Sequence, residues 1–183
     1  TNLYKGFFNL KKFEFVHQKH DGSWSTKVER EIFSGANVST LLPYDPQRDE
    51  IILIKQIRAG VLSRYDDDYL HEIVAGIVDK GENAEDTAKR ECYEETGCKV
   101  EKIVHIQNYF PAPGSSESYY HLHLGEVNSF NGERIRGLES ENENILVKPY
   151  KVDNVRKMLK DGIITNGLTL IALQWFFLEY YKD

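Results

Sequence analysis

Glu91, Glu94 and Glu95 stand at i, i+3 and i+4 in the chain. On an α-helix that spacing puts them on one face, with Cβ atoms roughly 5–6 Å apart. Each like-charge pair costs about a few tenths of a kcal/mol there, so the trio is unfavourable unless something positive sits among it. A hard divalent cation such as Mg²⁺ meets that need, because it takes oxygen ligands and keeps phosphate and water in its shell. Arg90 can orient one carboxylate through a bidentate pair. Taken alone, an Arg-Glu-x-x-Glu-Glu stretch is more often a solvated, charged helix face, so spacing by itself leaves both readings open. Glu139, Glu141 and Glu143 alternate in a polar segment and, alone, read as an acidic surface loop. His121 and His123 fall on one face of a predicted strand; two histidines do not make a metal site, and they read as structural.

These residues need elements to position them. The acidic trio lies on a predicted helix that Asn83 caps, with Glu85 and Asp86 in its first turn, running to about Thr96 and stopping at Gly97. Residues 7–33 alternate apolar and polar and carry the Asp21-Gly22 turn signal, which predicts a small β-meander. Asn37 to Leu42 and Glu50 to Arg58 read as strands joined by a turn-rich loop from Pro43 to Asp49. Ile51 to Ile54 form a continuous apolar run, as expected of a strand buried on both faces. Arg64 to Tyr69 read as a polar loop, and Leu70 to Val78 as extended chain interrupted at Gly76. Strands are predicted near 100–109 and 118–127, with the Pro111 to Ser116 loop between them. Asn128 to Asn144 read as a long, irregular and functional loop, and Ile145 to Val152 as the last strand. Asp153 is expected to cap one closing helix, which stops at Gly162, and Asn166 to cap a second. Strands, helix, strands, helices imply a mixed sheet between helical layers, an α/β fold.

The 183 residues suffice for one substantial core with a small appendage. A net charge of −6 argues against nucleic-acid binding, which depends on Lys and Arg neutralising phosphates. No apolar run approaches the length of a membrane span, and no secretory leader opens the chain. Cys92 and Cys98 sit outside any ligand cluster, so a reducing, cytoplasmic setting is expected.

The stretch from Gly76 to Cys98 resembles the Nudix box, G-x5-E-x7-R-E-U-x-E-E-x-G-U with U apolar. Gly76, Glu82, Arg90, Glu91, Glu94, Glu95 and Gly97 fill its fixed positions, and Cys92 and Cys98 its apolar ones. Average residue frequencies put such a match by chance on the order of 10⁻⁸ per start position. The similarity covers essentially the whole chain. Tyr4-Lys5-Gly6-Phe7-Phe8, Arg30-Glu31-Ile32-Phe33, Leu41 to Pro46, Gln56-Ile57-Arg58 and Ile171 to Trp175 look like the bacterial ADP-ribose pyrophosphatases, as does Pro113, placed beyond the box.

That resemblance implies a Nudix α/β/α sandwich over residues 36–183, preceded by a meander over 1–35 that exchanges across a homodimer. It implies two or three Mg²⁺ ions, or Mn²⁺, held by the Ala75 carbonyl, Glu91, Glu95 and Glu143. Glu141 would be the base that activates the attacking water, with Glu91 and Glu95 sharing in catalysis. Gly76, Glu82, Arg90 and Glu94 would support the site: Gly76 by a sharp turn at a strand end, Glu82 by holding Arg90. Phe7 would stack on the base, Arg30 and Arg58 would take phosphates or adenine, and Glu117 would lie near the terminal ribose. Here the sequence departs from the family, because Glu117 follows Gly114 one residue early. The implied reaction is hydrolysis of ADP-ribose to AMP and ribose 5-phosphate. The same chemistry on another nucleoside diphosphate sugar such as a GDP-sugar, or a non-catalytic ADP-ribose-sensing domain, are the rival readings.

Overall fold

The computed structural model describes residues 1–6, 8–62 and 69–182, and of Glu141 the backbone only. Phe7 and most of the polar loop expected over 64–69 therefore lie outside the described residues. The chain forms two compact units, Thr1–Asn37 with Tyr109–Tyr120, and Val38–Asn108 with His121–Asp183.

In the first unit, strands β1 (Asn2–Lys5), β2 (Asn9–Phe15) and β3 (Val28–Phe33) form an antiparallel sheet. The Asp21-Gly22 turn forms through the Asp21 carboxylate, which accepts from the Ser23 amide and hydroxyl at 2.9 and 2.7 Å. The side-chain period of two puts Lys12, Glu14 and Glu29 together as an exposed ion-pair ladder and leaves Phe13, Phe15 and Ile32 for the opposite face. Beyond β3, the Phe33 amide donates to the Ser115 carbonyl and the Glu117 amide to the Phe33 carbonyl, which fixes the loop after Pro113 against the strand.

The second unit is built on a mixed eight-stranded sheet. Its strands are β4 (Asn37–Asp45), β5 (Glu50–Ile57), β6 (Tyr69–Glu72), β7 (Val74–Ile77), β8 (Val100–Tyr109), β9 (Tyr119–Val127), β10 (Arg134–Arg136) and β11 (Ile145–Lys151). The order is β10-β11-β5-β4-β9-β8, with β6 on β5 and β7 on β4. The helices are α1 (Ala84–Thr96), α2 (Val152–Lys160) and α3 (Gly167–Trp175), and a π-helical turn, Phe176–Tyr180, extends α3. Alternation along β4 and β5 sorts the apolar side chains between faces. Leu41, Ile52 and Ile54 join Ala88 and Cys92 of α1 in one buried cluster. Tyr44 faces the other way, its ring 5.0 Å from that of Phe176.

Four expectations are corrected. Pro43 to Asp45 do not turn; they continue β4, fully buried, and only 46–49 form the turn. Proline is tolerated because pairing with β7 ends at Leu41 and pairing with β5 begins at Tyr44. The extended segment after 69 breaks at Ile73, not Gly76, where the chain passes from pairing with β5 to pairing with β4. The stretch from Asn128 to Asn144 contains β10, paired with β11, and a 3-10 turn over Glu139–Glu141. Helix α2 begins at Val152 with Lys151 at the cap position and no side-chain cap; Asp153 lies in the first turn, where its charge suits the helix dipole.

Candidate functional site

Helix α1 is bounded by local chemistry. The Asn83 side chain accepts from the Asp86 amide at 2.9 Å, a cap worth about 1 kcal/mol, and Gly97 ends the helix in the left-handed region. Within it, Arg90 is the hub. Its Nε and Nη2 donate to the two oxygens of Glu82 at 3.1 and 3.0 Å, and its Nη1 to Glu91 and Glu94 at 2.7 and 3.0 Å. The Thr87 hydroxyl adds a bond to Glu82 at 2.7 Å. Hydrogen bonds from Arg90 and then Thr87 hold the Glu82 carboxyl down to about 2, and those from Glu82 and Glu91 raise the Arg90 guanidinium further. Residues eight apart in sequence are thus one rigid brace across the loop before α1.

Glu91 and Glu95 face β7. Glu95 is buried, and its Oε2 has no hydrogen-bond partner among the described residues. Burial pushes its carboxyl well above the usual range, helped by the charges of Glu91 and Glu143; the Ala75 amide, hydrogen-bonded to it, and the Arg58 charge pull the other way. Burial also raises Glu91, against the bond from Arg90. Gly76 does not form the sharp turn expected of it. It lies inside β7, and a Cβ there would sit 2.0 Å from the Glu91 carboxyl carbon. Glycine is needed because a carboxylate packs directly on the strand, not because the backbone turns.

Glu143 arrives from the loop after β10. Its carboxylate accepts from the Leu138 amide at 3.0 Å, and its own amide donates to the Leu138 carbonyl at 3.2 Å. Gly137, at φ +110, makes that close turn possible. Its charge is felt by both Glu91 and Glu95. The Glu141 side chain lies outside the described residues.

The residues fit a hard divalent cation. The donors are all oxygen, and one buried carboxylate oxygen lacks a partner among the described residues. Arg90 and the Leu138 amide currently hold Glu91 and Glu143, and among the described residues no three acidic or imidazole side chains are gathered as a finished ligand cage. Glu91, Glu95, Glu143 and the Ala75 carbonyl are the groups that would hold the ion.

The remaining expected site residues divide between the units. Arg58 belongs with the acids: it follows β5 and donates through Nε and Nη2 to Glu72, at 3.0 and 2.7 Å. Arg30 and Glu117 are in the first unit, where they line a cleft of about 370 Å³ with Phe13, Phe15, Ile32 and Pro113. Glu117 is paired there with Lys11 at 2.7 Å. Sequence reasoning missed Glu72, a buried acid at the end of β6; the signal was an acid at an inward position of a short strand. It also missed how the histidines are used. His123 Nδ1 meets the Thr40 carbonyl at 3.2 Å, while His121 Nδ1 and His105 Nε2 meet Asn108 Oδ1 at 3.1 and 2.8 Å. They line a separate cavity of about 430 Å³ beside the start of α1.

The NUDIX domain family matches residues 34–163. The ADP-ribose pyrophosphatase of Escherichia coli (strain K12) is 37% identical over 178 residues, spanning 97% of this chain and 85% of that protein. Its counterpart in Haemophilus influenzae is 38% identical over 181 residues, 97% of this chain and 83% of that protein. A GDP-mannose pyrophosphatase of Shigella flexneri is 26% identical over 182 residues, 99% of this chain and 94% of that protein.

Proposed function

This chain belongs to the NUDIX domain family, and from that premise we propose that it hydrolyses the diphosphate of ADP-ribose with the help of Mg²⁺. One observation carries the chemistry: the buried Glu95 oxygen without a partner among the described residues, beside Glu91 and the strand bearing Ala75. An enzyme acting on a doubly charged diphosphate with a net charge of −6 needs positive charge brought to the reaction. A divalent cation bound by these residues supplies it, neutralising the diphosphate and polarising phosphorus.

The chain's own groups do the rest. Arg58 binds and orients the diphosphate. Glu141 takes a proton from the attacking water, whose oxygen forms a new bond to phosphorus as the bridging P–O bond breaks. The bridging oxygen leaves with the other phosphate, so water and ADP-ribose give AMP and ribose 5-phosphate. Glu82 and Glu94, through Arg90, keep Glu91 in place. In the first unit, Arg30 and Glu117 take the adenine and ribose ends, and the meander serves a homodimer. Cys92 and Cys98 are buried thiols, in keeping with the cytoplasm.

Substrate choice is supported by the two pyrophosphatases at 37–38% identity, against 26% for the GDP-mannose enzyme. A panel of nucleoside diphosphate sugars assayed with Mg²⁺ tests it. ADP-ribose is expected to have the highest kcat/KM, with AMP and ribose 5-phosphate as products. A preference for GDP-mannose would overturn the substrate, and saturable ADP-ribose binding without turnover would overturn the enzyme.

A further inference from the structure

Glu72 is 3% exposed and sits in the second unit with no role in the chemistry above. Its carboxylate is nevertheless surrounded by donors. Arg58 gives it Nε and Nη2, the Asn166 side chain donates to Oε1 at 2.9 Å, and the Gln56 amide reaches Oε2 at 3.5 Å. Asn166 is itself fixed. As the cap of α3 its Oδ1 accepts from the Thr169 amide and hydroxyl, at 3.0 and 3.1 Å. The Thr169 oxygen accepts in turn from the Ile73 amide at 3.1 Å. Ile73 is the break between β6 and β7, and β7 carries Ala75 and Gly76 to the acidic face of α1.

An arginine on a flexible stem loses rotamer entropy whenever it must meet a ligand in one orientation. A guanidinium edge that meets both oxygens of a buried carboxylate, Nε donating to Oε1 at 3.2 Å and Nη2 to Oε2 at 2.7 Å, has lost that freedom in advance. The carboxylate must itself be immobile to do so, and the bond from Asn166 supplies that.

We propose that Glu72 is a positioning residue, which fixes Arg58 in the orientation that binds the diphosphate and is itself locked by Asn166 at the start of α3. The inference rests on the reading of Arg58 as a diphosphate-binding residue. It gives the C-terminal helix a purpose at the site: the cap of α3 sets the aim of an arginine 108 residues earlier in the chain.

A double-mutant cycle on ADP-ribose hydrolysis tests it, with thermal melts to verify folding. Glu72→Gln should raise KM about tenfold with kcat changed less than about threefold, as expected for lost binding. Arg58→Ala should raise KM at least as much, and the double variant no further than Arg58→Ala alone. Because Glu72 is buried, Asn166→Ser is the second probe. Serine keeps a helix cap but has no amide to donate to Glu72, so KM should rise about two- to threefold, and only while Arg58 is present. Effects of Glu72→Gln and Asn166→Ser that multiply with that of Arg58→Ala, or an unchanged KM, would overturn the proposal while leaving the enzyme reading intact. A wild-type chain that cleaves no nucleoside diphosphate sugar would overturn that reading, and this inference with it.

Discussion

Helix α1 has polar clusters beside both its ends, and the two ends treat buried polarity differently. Near its start, three imidazoles are bonded within the protein: His123 to a carbonyl, His105 and His121 to one side-chain amide. Burial lowers His121 and His123, which favours their neutral forms, and each is bonded within the protein. Toward its other end, burial pushes up Glu91 and Glu95, with the charges of Glu94 and Glu143 adding to the first and those of Glu91 and Glu143 to the second, and one Glu95 oxygen has no partner among the described residues. That contrast separates a structural cluster from a ligand site. Both contain residue types that bind metals, but only one stays electrostatically incomplete.

The comparison breaks most visibly at Glu95. Glu95→Gln should lower kcat on the order of 10²–10⁴, the scale of several kcal/mol of transition-state stabilisation. The same variant should melt no lower than wild type, because a neutral amide replaces a carboxyl that burial disfavours as an anion. A lower melting temperature with normal kcat would reverse the assignment. Gly76→Ala comes next. The added methyl collides with the Glu91 carboxyl, so kcat should fall about 10- to 100-fold through a displaced ligand. At the other end, His123→Ala should leave kcat unchanged and cost about 1–3 kcal/mol in urea unfolding, since the ring is 1% exposed and its bond to Thr40 is lost.

The smallest effect is a pH dependence. For His123, burial is the leading cause of a folded-state pKa below the ordinary 6.5, with the Thr40 bond opposing it. The unfolded chain therefore binds more protons just below pH 6.5, and stability should fall as pH drops through that window. Replacing both His121 and His123 with Gln should shrink the loss in melting temperature between pH 7.5 and 5.5. An unchanged loss would mean that these rings do not carry it.

Legibility in the sequence followed contact range. The acidic face of α1, its Asn83 cap and its Gly97 stop depend on neighbours within a few residues, and spacing reveals them. The brace between Glu82 and Arg90 spans eight residues and is also readable. The rest depends on distant partners. His123 meets Thr40 across 83 positions, and Glu72 meets Asn166 across 94, so neither bond leaves a local signal. Pro43 to Asp45 carry turn-forming residues, yet burial in β4 overrides them. Gly76 was legible as a required glycine but not for its reason, because the carboxylate packed on it comes from another element.

Equilibrium binding of Mn²⁺, measured by calorimetry on wild type, Glu95→Gln and His123→Gln, separates the acidic cluster from the histidine cluster as the metal site. Wild type and His123→Gln should bind alike, and Glu95→Gln at least about tenfold more weakly. Undiminished binding by Glu95→Gln, or a loss confined to His123→Gln, would rule out Glu95 as a metal ligand.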